Sequence, residues 1–185
     1  MSDIYSGRVW RLLVEQPARR VPHVLGDVSA LHAERLAGQP GRPVSDMVLE
    51  LRRNAGPVSP SGMIGGSYIP GKAEAAILSV GKTGDITTGA GLGYVSGIGK
   101  RGMVLGLPDE FAESVMDGLI RVDPKSGVPA GRVVIDRAAY DEMDSSRSVF
   151  ERLGGLFLIA VAEMSMGSSD QSEFQRTMQA AVDSL

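Results

Sequence analysis

Glycine-rich segments followed by lysine are the residues here with the clearest chemical potential, because backbone N–H groups in such loops can bind phosphate. The P-loop pattern requires a glycine, four residues and then Gly-Lys-Ser/Thr. Gly99-Lys100 is followed by Arg101, and Gly81-Lys82-Thr83 has Ala76 where the first glycine should stand. The sequence therefore excludes a P-loop at both places. The phosphate-binding candidates that remain are Gly89, Gly91, Gly93 and Lys100.

The run Gly89-Ala90-Gly91-Leu92-Gly93 resembles the phosphate loop of small-molecule kinases of the GHMP group. That family places two serines next, where this sequence has Tyr94 and Val95. A loop or hairpin without a ligand is the alternative, because 24 of the 185 residues are glycine and such runs then arise by chance.

A second cluster could bind a hard cation, since Asp141, Glu142 and Asp144 lie within four residues. Calcium and magnesium sites use more oxygen ligands than three clustered acids supply. The alternative is a solvated turn that caps the following helix. The sequence has no cysteine, and neither His23 nor His32 has an evident catalytic partner. We therefore expect no enzyme activity, no metal and no cofactor.

The composition is typical of a globular protein, with 43% hydrophobic and 22% charged residues. The longest apolar run, Leu156 to Ala162, is too short to span a bilayer. Met1 to Glu15 lacks the apolar core of a signal peptide. These features predict a cytoplasmic protein with no membrane partner.

Charge is unevenly distributed along the sequence, although the net charge is only −3. Residues 1–108 contain 12 basic and 8 acidic residues, whereas residues 109–185 contain 7 basic and 14 acidic ones. A basic first part is compatible with phosphate-bearing partners such as RNA, although an excess of +4 is weak support.

The first third of the sequence alternates between extended segments and turns. Gly7 to Glu15 and Met47 to Arg53 have the period-two pattern of strands. Asp27 is placed to cap a short helix that carries Val28, Leu31 and Leu36, with Gly38 at its C′ position. Gly38 to Pro43 is then a turn-rich loop.

The glycine excess is concentrated in the middle of the sequence, where thirteen glycines lie between residues 60 and 106. Residues 57–106 show little periodicity and are predicted to be a glycine-rich insertion with short strands. Within it, Ala73 to Val80 could be a helical turn or a strand.

The last part of the sequence has the clearest periodicity. A helix begins at Pro108 to Glu110, a strand covers Arg132 to Ala138, and Tyr140 to Ser146 is an acidic loop whose Asp144 or Ser145 caps the next helix. Two helices follow, and the apolar positions predicted to form the inward faces of all three are Phe111, Val115, Leu119, Ile120, Val149, Phe150, Leu153, Leu156, Phe157, Ala160, Val161, Met164, Phe174, Met178, Val182 and Leu185. The pattern predicts a two-layer α+β domain over residues 1–168 and an amphipathic helix over 169–185.

Three segments of the C-terminal half, Leu107–Leu119, Gly127–Ile135 and Tyr140–Phe150, carry a family resemblance. Their order and spacing, and the Asp-Ser-Ser-x-x-x-Phe ending at 144–150, resemble domain IV of the translocation GTPase elongation factor G. Gly7 to Glu15 is similar to the first strand of that domain, and 38–53 to its tip loop and second strand. Residues 55–105 have no counterpart in the family.

The resemblance implies a ribosomal protein S5 domain 2-like fold, a split β-α-β layer with a left-handed crossover. In the family, two tip loops enter the decoding site of the ribosome and contact RNA. In this sequence those loops are 38–43 and 140–144, where the family usually has histidine at the place of Asp141. The implied contact residues are Gly38, Gly41, Arg42, Tyr140, Asp141, Glu142, Asp144 and Ser145.

The expected function is therefore that of a non-catalytic, translation-factor-like protein that binds the ribosome or another RNA–protein partner. The acids at Asp141 and Glu142 oppose this role, because they repel RNA phosphate. The alternative is a subunit of a homo-oligomer or protein assembly, with residues 57–106 and the last helix as contact arms.

Overall fold

The computed structural model describes residues 1–17, 30–54, 59–72, 75–83, 93–98, 102–123, 127–167 and 171–185. These residues form a mixed α+β structure with a large mixed sheet and three helices. The strands are β1 (Ser2–Ser6), β2 (Trp10–Glu15), β3 (Ala30–Leu36), β4 (Val44–Arg53), β5 (Ser61–Pro70), β6 (Ala75–Gly81), β7 (Gly93–Val95), β8 (Gly102–Leu105) and β9 (Gly131–Tyr140). The helices are α1 (Asp109–Arg121), α2 (Arg147–Met166) and α3 (Gln171–Asp183).

The sheet has the strand order β1-β2-β4-β5-β9-β6-β3, and β8 extends it beside the end of β9. Neighbouring strands are antiparallel except β6 and β9, which are parallel. A parallel pair requires a crossover connection, and the chain between these two strands contains α1.

One face of the sheet carries the main core. Alternate strand residues such as Leu12, Leu49, Ile64 and Val133 share one buried cluster with residues of all three helices. The strands predicted at 7–15, 47–53 and 132–138 are confirmed, the first of them from Trp10 onward, as is the helix that follows Pro108. Ile120 does not belong to the inward face of α1, because half of its surface is exposed.

The helix predicted at 27–38 is wrong where the structure describes this segment, because Ala30–Leu36 is strand β3. Leu31 and Ala33 are half-buried, whereas His32 and Glu34 are exposed, which is the alternation of a strand. Alanine, leucine, glutamate and arginine favour helices, but pairing with β6 over seven residues overrides that preference. Asp27 and Val28 lie outside the described residues.

The predicted glycine-rich insertion contains two strands of the middle of the sheet. β5 lies between β4 and β9, and β6 lies between β9 and β3. The glycines of β5 are needed for close packing: a Cβ atom at Gly66 would lie 1.9 Å from the Val134 carbonyl oxygen, at a β-bulge. The low apolar periodicity of this segment thus reflects tight contacts between backbones.

The opposite face of the sheet, here called the outer face, is partly covered by the β7–β8 hairpin. Met103 and Leu105 of β8 form a second buried cluster with Val48, Met63 and Ala139. Glu50 on β4 is fully buried and accepts hydrogen bonds from Ser96 Oγ, Gly97 N (2.8 Å) and Ile98 N (3.3 Å). This carboxylate therefore fixes the hairpin against the sheet.

Helix α3 packs its apolar face against the core, so this face is not exposed to a partner. Its apolar residues Phe174, Met178 and Val182 are buried in the main cluster beside α2, β1 and β2. The predicted amphipathic stripe is correct, but the protein itself covers it.

Helices α1 and α2 cross at two glycines. A Cβ atom at Gly118 would lie 1.9 Å from the Glu151 carbonyl oxygen, and one at Gly154 would lie 2.2 Å from that of Val115. At Gly155, the next residue of α2, the nearest such neighbour is 3.6 Å away. Only the first two positions require glycine for the close approach of the helices.

We predict opposite effects for two neighbouring alanine substitutions in α2. Gly154→Ala should lower the free energy of unfolding by about 1–3 kcal/mol, because the methyl group overlaps the α1 backbone. Gly155→Ala should raise it by about 0.5–1 kcal/mol through helix propensity alone. Urea unfolding of both variants measures the difference, and equal effects would contradict the helix crossing.

Stability should also respond to Glu163 on α2. Burial, and then the charge of Glu173 on α3, raise the pKa of Glu163 above its ordinary value of 4.5. The folded state therefore disfavours the charged form, and stability falls as the pH rises through this raised pKa. Glu163→Gln should raise the melting temperature at pH 7 and have no such benefit below about pH 4. Thermal unfolding at both pH values tests this, with Glu173→Gln as the variant that removes only the repulsion.

Candidate functional site

The first loop implied by the resemblance, residues 38–43, is fixed by hydrogen bonds from its backbone N–H groups to residues outside the loop. Gly38 N donates to the Val128 carbonyl (2.8 Å), and Gly41 N donates to the Tyr68 hydroxyl (3.1 Å), which itself donates to the Ala130 carbonyl (2.6 Å). A Cβ atom at Gly41 would lie 2.7 Å from Ser165. Gly38 and Gly41 therefore serve the packing of this loop.

Arg42 lies at the C-terminal end of α2. Its backbone N–H donates to the Ser165 carbonyl (2.7 Å), and its Cζ atom is 3.3 Å from the place of a Cβ atom at Gly167. Gly167 ends α2 with a φ of 71°. A cation at this end of a helix is stabilised by the helix dipole, so Arg42 has a structural role while its side chain stays exposed.

The second loop is a tight acidic turn after β9. Asp141 Oδ1 accepts from Met143 N (2.9 Å) and Asp144 N (3.2 Å). Ser145 Oγ accepts from Asp141 N (2.8 Å) and donates to the Ser61 carbonyl (2.5 Å). Asp141 and Ser145 are thus used within the turn, whereas Glu142 is exposed to solvent.

The sequence predicts that Asp144 or Ser145 caps α2, but neither residue does so. The N-cap residue is Ser146, and its side chain makes no capping hydrogen bond. Tyr140, the last residue of β9, packs edge to face on Phe111 with ring centroids 5.9 Å apart. Burial, and then the charge of Glu142, raise the pKa of the Tyr140 hydroxyl.

The structure does not bring the two loops together. The first contacts Val128 and Ala130, just before β9 begins at Gly131, and the second follows the end of β9 at Tyr140. Ten residues of extended chain separate these points by about 30 Å. The two loops therefore do not form one contact surface within this protein.

The phosphate candidates fall mostly outside the part of the chain that the structure describes, including Gly89, Gly91 and Lys100. Gly93 is described as the first residue of β7 and pairs with Val104 of β8. At this residue the chain therefore forms one strand of a hairpin.

Four arginines lie at one end of the sheet and were not singled out by the sequence patterns; two of them, Arg11 and Arg52, share the outer face and are here called the arginine surface. Arg8 precedes β2, Arg11 lies directly opposite Arg52 on the neighbouring strand, and Arg53 lies opposite Trp10. Within the described residues, none of the four has a carboxylate within 4.0 Å. The pairing of β2 with β4 brings together residues about forty positions apart, so no local motif shows it.

The backbone beneath the arginine surface is well fixed. Asn54 N donates to the Val9 carbonyl (2.6 Å) and Gly7 N to the Trp10 carbonyl (2.9 Å), just beyond the β2–β4 pairing. Trp10 is buried, with the Arg53 Cζ atom 6.0 Å and the Arg152 Cζ atom 5.1 Å from its ring centroid. The site therefore combines a rigid base with positive charge that no carboxylate of the described segments neutralises at close range.

A groove of about 400 Å³ between α1, α2 and the last residues of the chain is a weaker candidate. Its charged walls are already paired, Arg121 with Glu151 and Arg152 with the Leu185 carbonyl (2.9 Å). No group of three or more histidine, aspartate or glutamate residues in the described segments could hold a metal ion. Across those segments, no helix has the length and apolar character needed to cross a bilayer.

Comparison with protein-family models finds no match to this chain, and comparison with curated protein sequences finds none either. The function must therefore be inferred from the residues and their geometry.

We predict that two adjacent serines of the acidic loop differ in their contribution to stability. Ser145→Ala removes the acceptor for Asp141 N and the donor to Ser61, and should lower the free energy of unfolding by about 1–3 kcal/mol. Ser146→Ala, at an N-cap without a capping bond, should cost well under half as much. Chemical denaturation of the two variants distinguishes them. A larger loss of unfolding free energy for Ser146→Ala than for Ser145→Ala would contradict the role of the Ser145 hydrogen bonds in stabilising the turn.

Proposed function

We propose that this protein is a non-catalytic RNA-binding protein whose contact with the RNA backbone is the arginine surface. One observation supports this most directly: Arg11 and Arg52 lie directly opposite each other, with no carboxylate partner among the described residues. Like charges in that position destabilise a sheet. An external polyanion removes this penalty, and arginine is well suited to bind phosphate oxygens.

The acidic loop places negative charge on one side of the arginine surface. Arg52 pairs with Ser61 across β4 and β5, and the Ser61 carbonyl accepts the Ser145 hydroxyl of the acidic loop. Positive charge on β2 and β4 therefore adjoins the negative charge of Asp141 and Glu142. A phosphate chain would follow the arginines and avoid the acidic loop, so the loop orients the RNA rather than binding it.

The relation to domain IV of elongation factor G, with the S5 domain 2-like fold, remains part of this proposal. It is supported by the order of α1, β9, the acidic loop and α2, which is the order that the resemblance implies. The ribosome is the RNA–protein partner that the resemblance suggests. The contact differs from that of the family, because the two loops lie at opposite ends of β9.

The proposal predicts a salt-dependent affinity for RNA. A labelled single-stranded RNA of about 20 nucleotides should bind more weakly as salt rises from about 50 to 200 mM, with a slope near −0.7 per phosphate contacted. Arg11→Gln and Arg52→Gln should each weaken binding and reduce that slope by about 0.7. Each should also raise the unfolding free energy by about 0.2–1 kcal/mol, because the like-charge pair is gone. Fluorescence anisotropy and chemical denaturation measure the two effects.

Arg132→Gln is the matched control, since Arg132 is also an exposed strand arginine but lies at the start of β9. It should leave both affinity and slope unchanged. Ribosome co-sedimentation at low salt then tests the partner. The proposal fails if RNA does not bind at low salt, or if the Arg11 and Arg132 variants bind alike.

A further inference from the structure

Strand β3 forms one edge of the sheet in the part of the chain that the structure describes. It pairs with β6 residue for residue over seven positions, without a bulge, and no strand within the described residues pairs with its other edge. It contains no proline and no lysine, which commonly protect such edges. As far as the described residues go, its second edge therefore offers a regular row of backbone donors and acceptors.

The opposite edge strand, β1, also lacks proline and lysine and pairs with β2 without a bulge. It has only five residues, and its Asp3 has a buried carboxylate oxygen on the side of the core. Gln179 Nε2 of α3 donates to the Ser6 carbonyl at its end (3.2 Å). Short length, inward charge and a covering helix are the devices that prevent edge pairing. Strand β3 also has an inward charge, Arg35, and a helix packed against it, α1, so the two edges differ in length, with seven residues in β3 and five in β1.

The sequence of β3 is complementary to itself. A two-fold axis at Ala33 would place each β3 antiparallel to the other, with all seven residues paired. His32 would then lie opposite Glu34 of the second copy, and the exposed Leu36 opposite Ala30. Both pairs would project from the outer face. Shifting the axis to Glu34 or His32 would instead set like residues opposite each other, which is unfavourable for two glutamates.

We infer that two copies of this protein associate through β3 into one continuous sheet, with two-fold symmetry at Ala33. The match between the His32 imidazole, which can donate a hydrogen bond, and the Glu34 carboxylate, together with the full overlap of the strand, selects a second copy as the occupant. Arg35 does not obstruct this pairing, because its guanidinium donates to the Leu119 (2.8 Å) and Val122 (2.7 Å) carbonyls at the end of α1.

An edge contact of this length is smaller than the interfaces of permanent dimers, so the association should be weak and concentration-dependent. Sedimentation velocity without RNA, from about 5 to 500 μM, should show the mass rising from 19.5 kDa toward twice that value. Amide hydrogen exchange in β3 should slow over the same concentration range.

Charge reversal tests the register. His32→Glu sets a carboxylate opposite Glu34 of the second copy at two symmetric places, and should raise the dissociation constant about tenfold. Glu34→Lys removes the attraction and should also weaken the dimer. The double variant His32→Glu/Glu34→Lys restores opposite charges and should recover most of the association. Glu113→Lys, the same charge change on an exposed residue of α1, should have no effect.

Three results would overturn the inference. The first is a mass of 19.5 kDa at every concentration, the second a dimer that is unchanged in both single variants or not restored in the double variant, and the third an open-ended assembly. RNA binding by the arginine surface is measured separately, and neither result depends on the other.

Discussion

Strand β9 holds the two parts of the sheet together, because its backbone groups are engaged on both edges. β5 pairs with its whole length on one side. On the other side β6 pairs with Gly131–Ile135 and β8 with Ala139–Tyr140. Since β6 is parallel to β9, the chain between them must cross over, and this crossover contains α1.

The change of partner along β9 coincides with a buried charge. Asp136 is the extra residue of the bulge opposite β5, and Arg137 beside it has only 2% of its side chain exposed. Arg137 pairs with Asp46 (2.7 Å) on β4 and with Asp136 (3.0 Å). Asp46 has a φ of 52°, which is unusual for a residue other than glycine, and it lies in the bulge of β4. Two irregular strands are thus joined by one ion pair, which must stay intact because an unpaired buried charge is strongly destabilising.

The arginines of the sheet differ in whether their charge has a partner. Arg137 is buried and paired, and Arg35 satisfies the end of α1, whereas the arginine surface has repulsion without compensation in the described residues. A local conflict within an otherwise consistent structure is characteristic of a functional site.

The sequence alone determined the elements with strong local periodicity. The apolar spacing of Phe150, Leu153 and Phe157 requires a helix that buries one face, and the alternation in 47–53 requires a strand, because neighbouring residues must share an environment in each case. The acidic loop between β9 and α2 was also evident. These features depend on residues close in the chain.

Only the tertiary structure decided the rest, because the deciding contacts join distant residues. Ala30–Leu36 has helix-forming residues and becomes a strand through β6, while the glycines of β5 mark backbone contact with Val134 rather than a loose insertion. The two loops expected to act together are separated by the length of β9. Arg11 and Arg52 become neighbours only because β2 pairs with β4. Strand pairing is non-local, and the candidate site depends on it entirely.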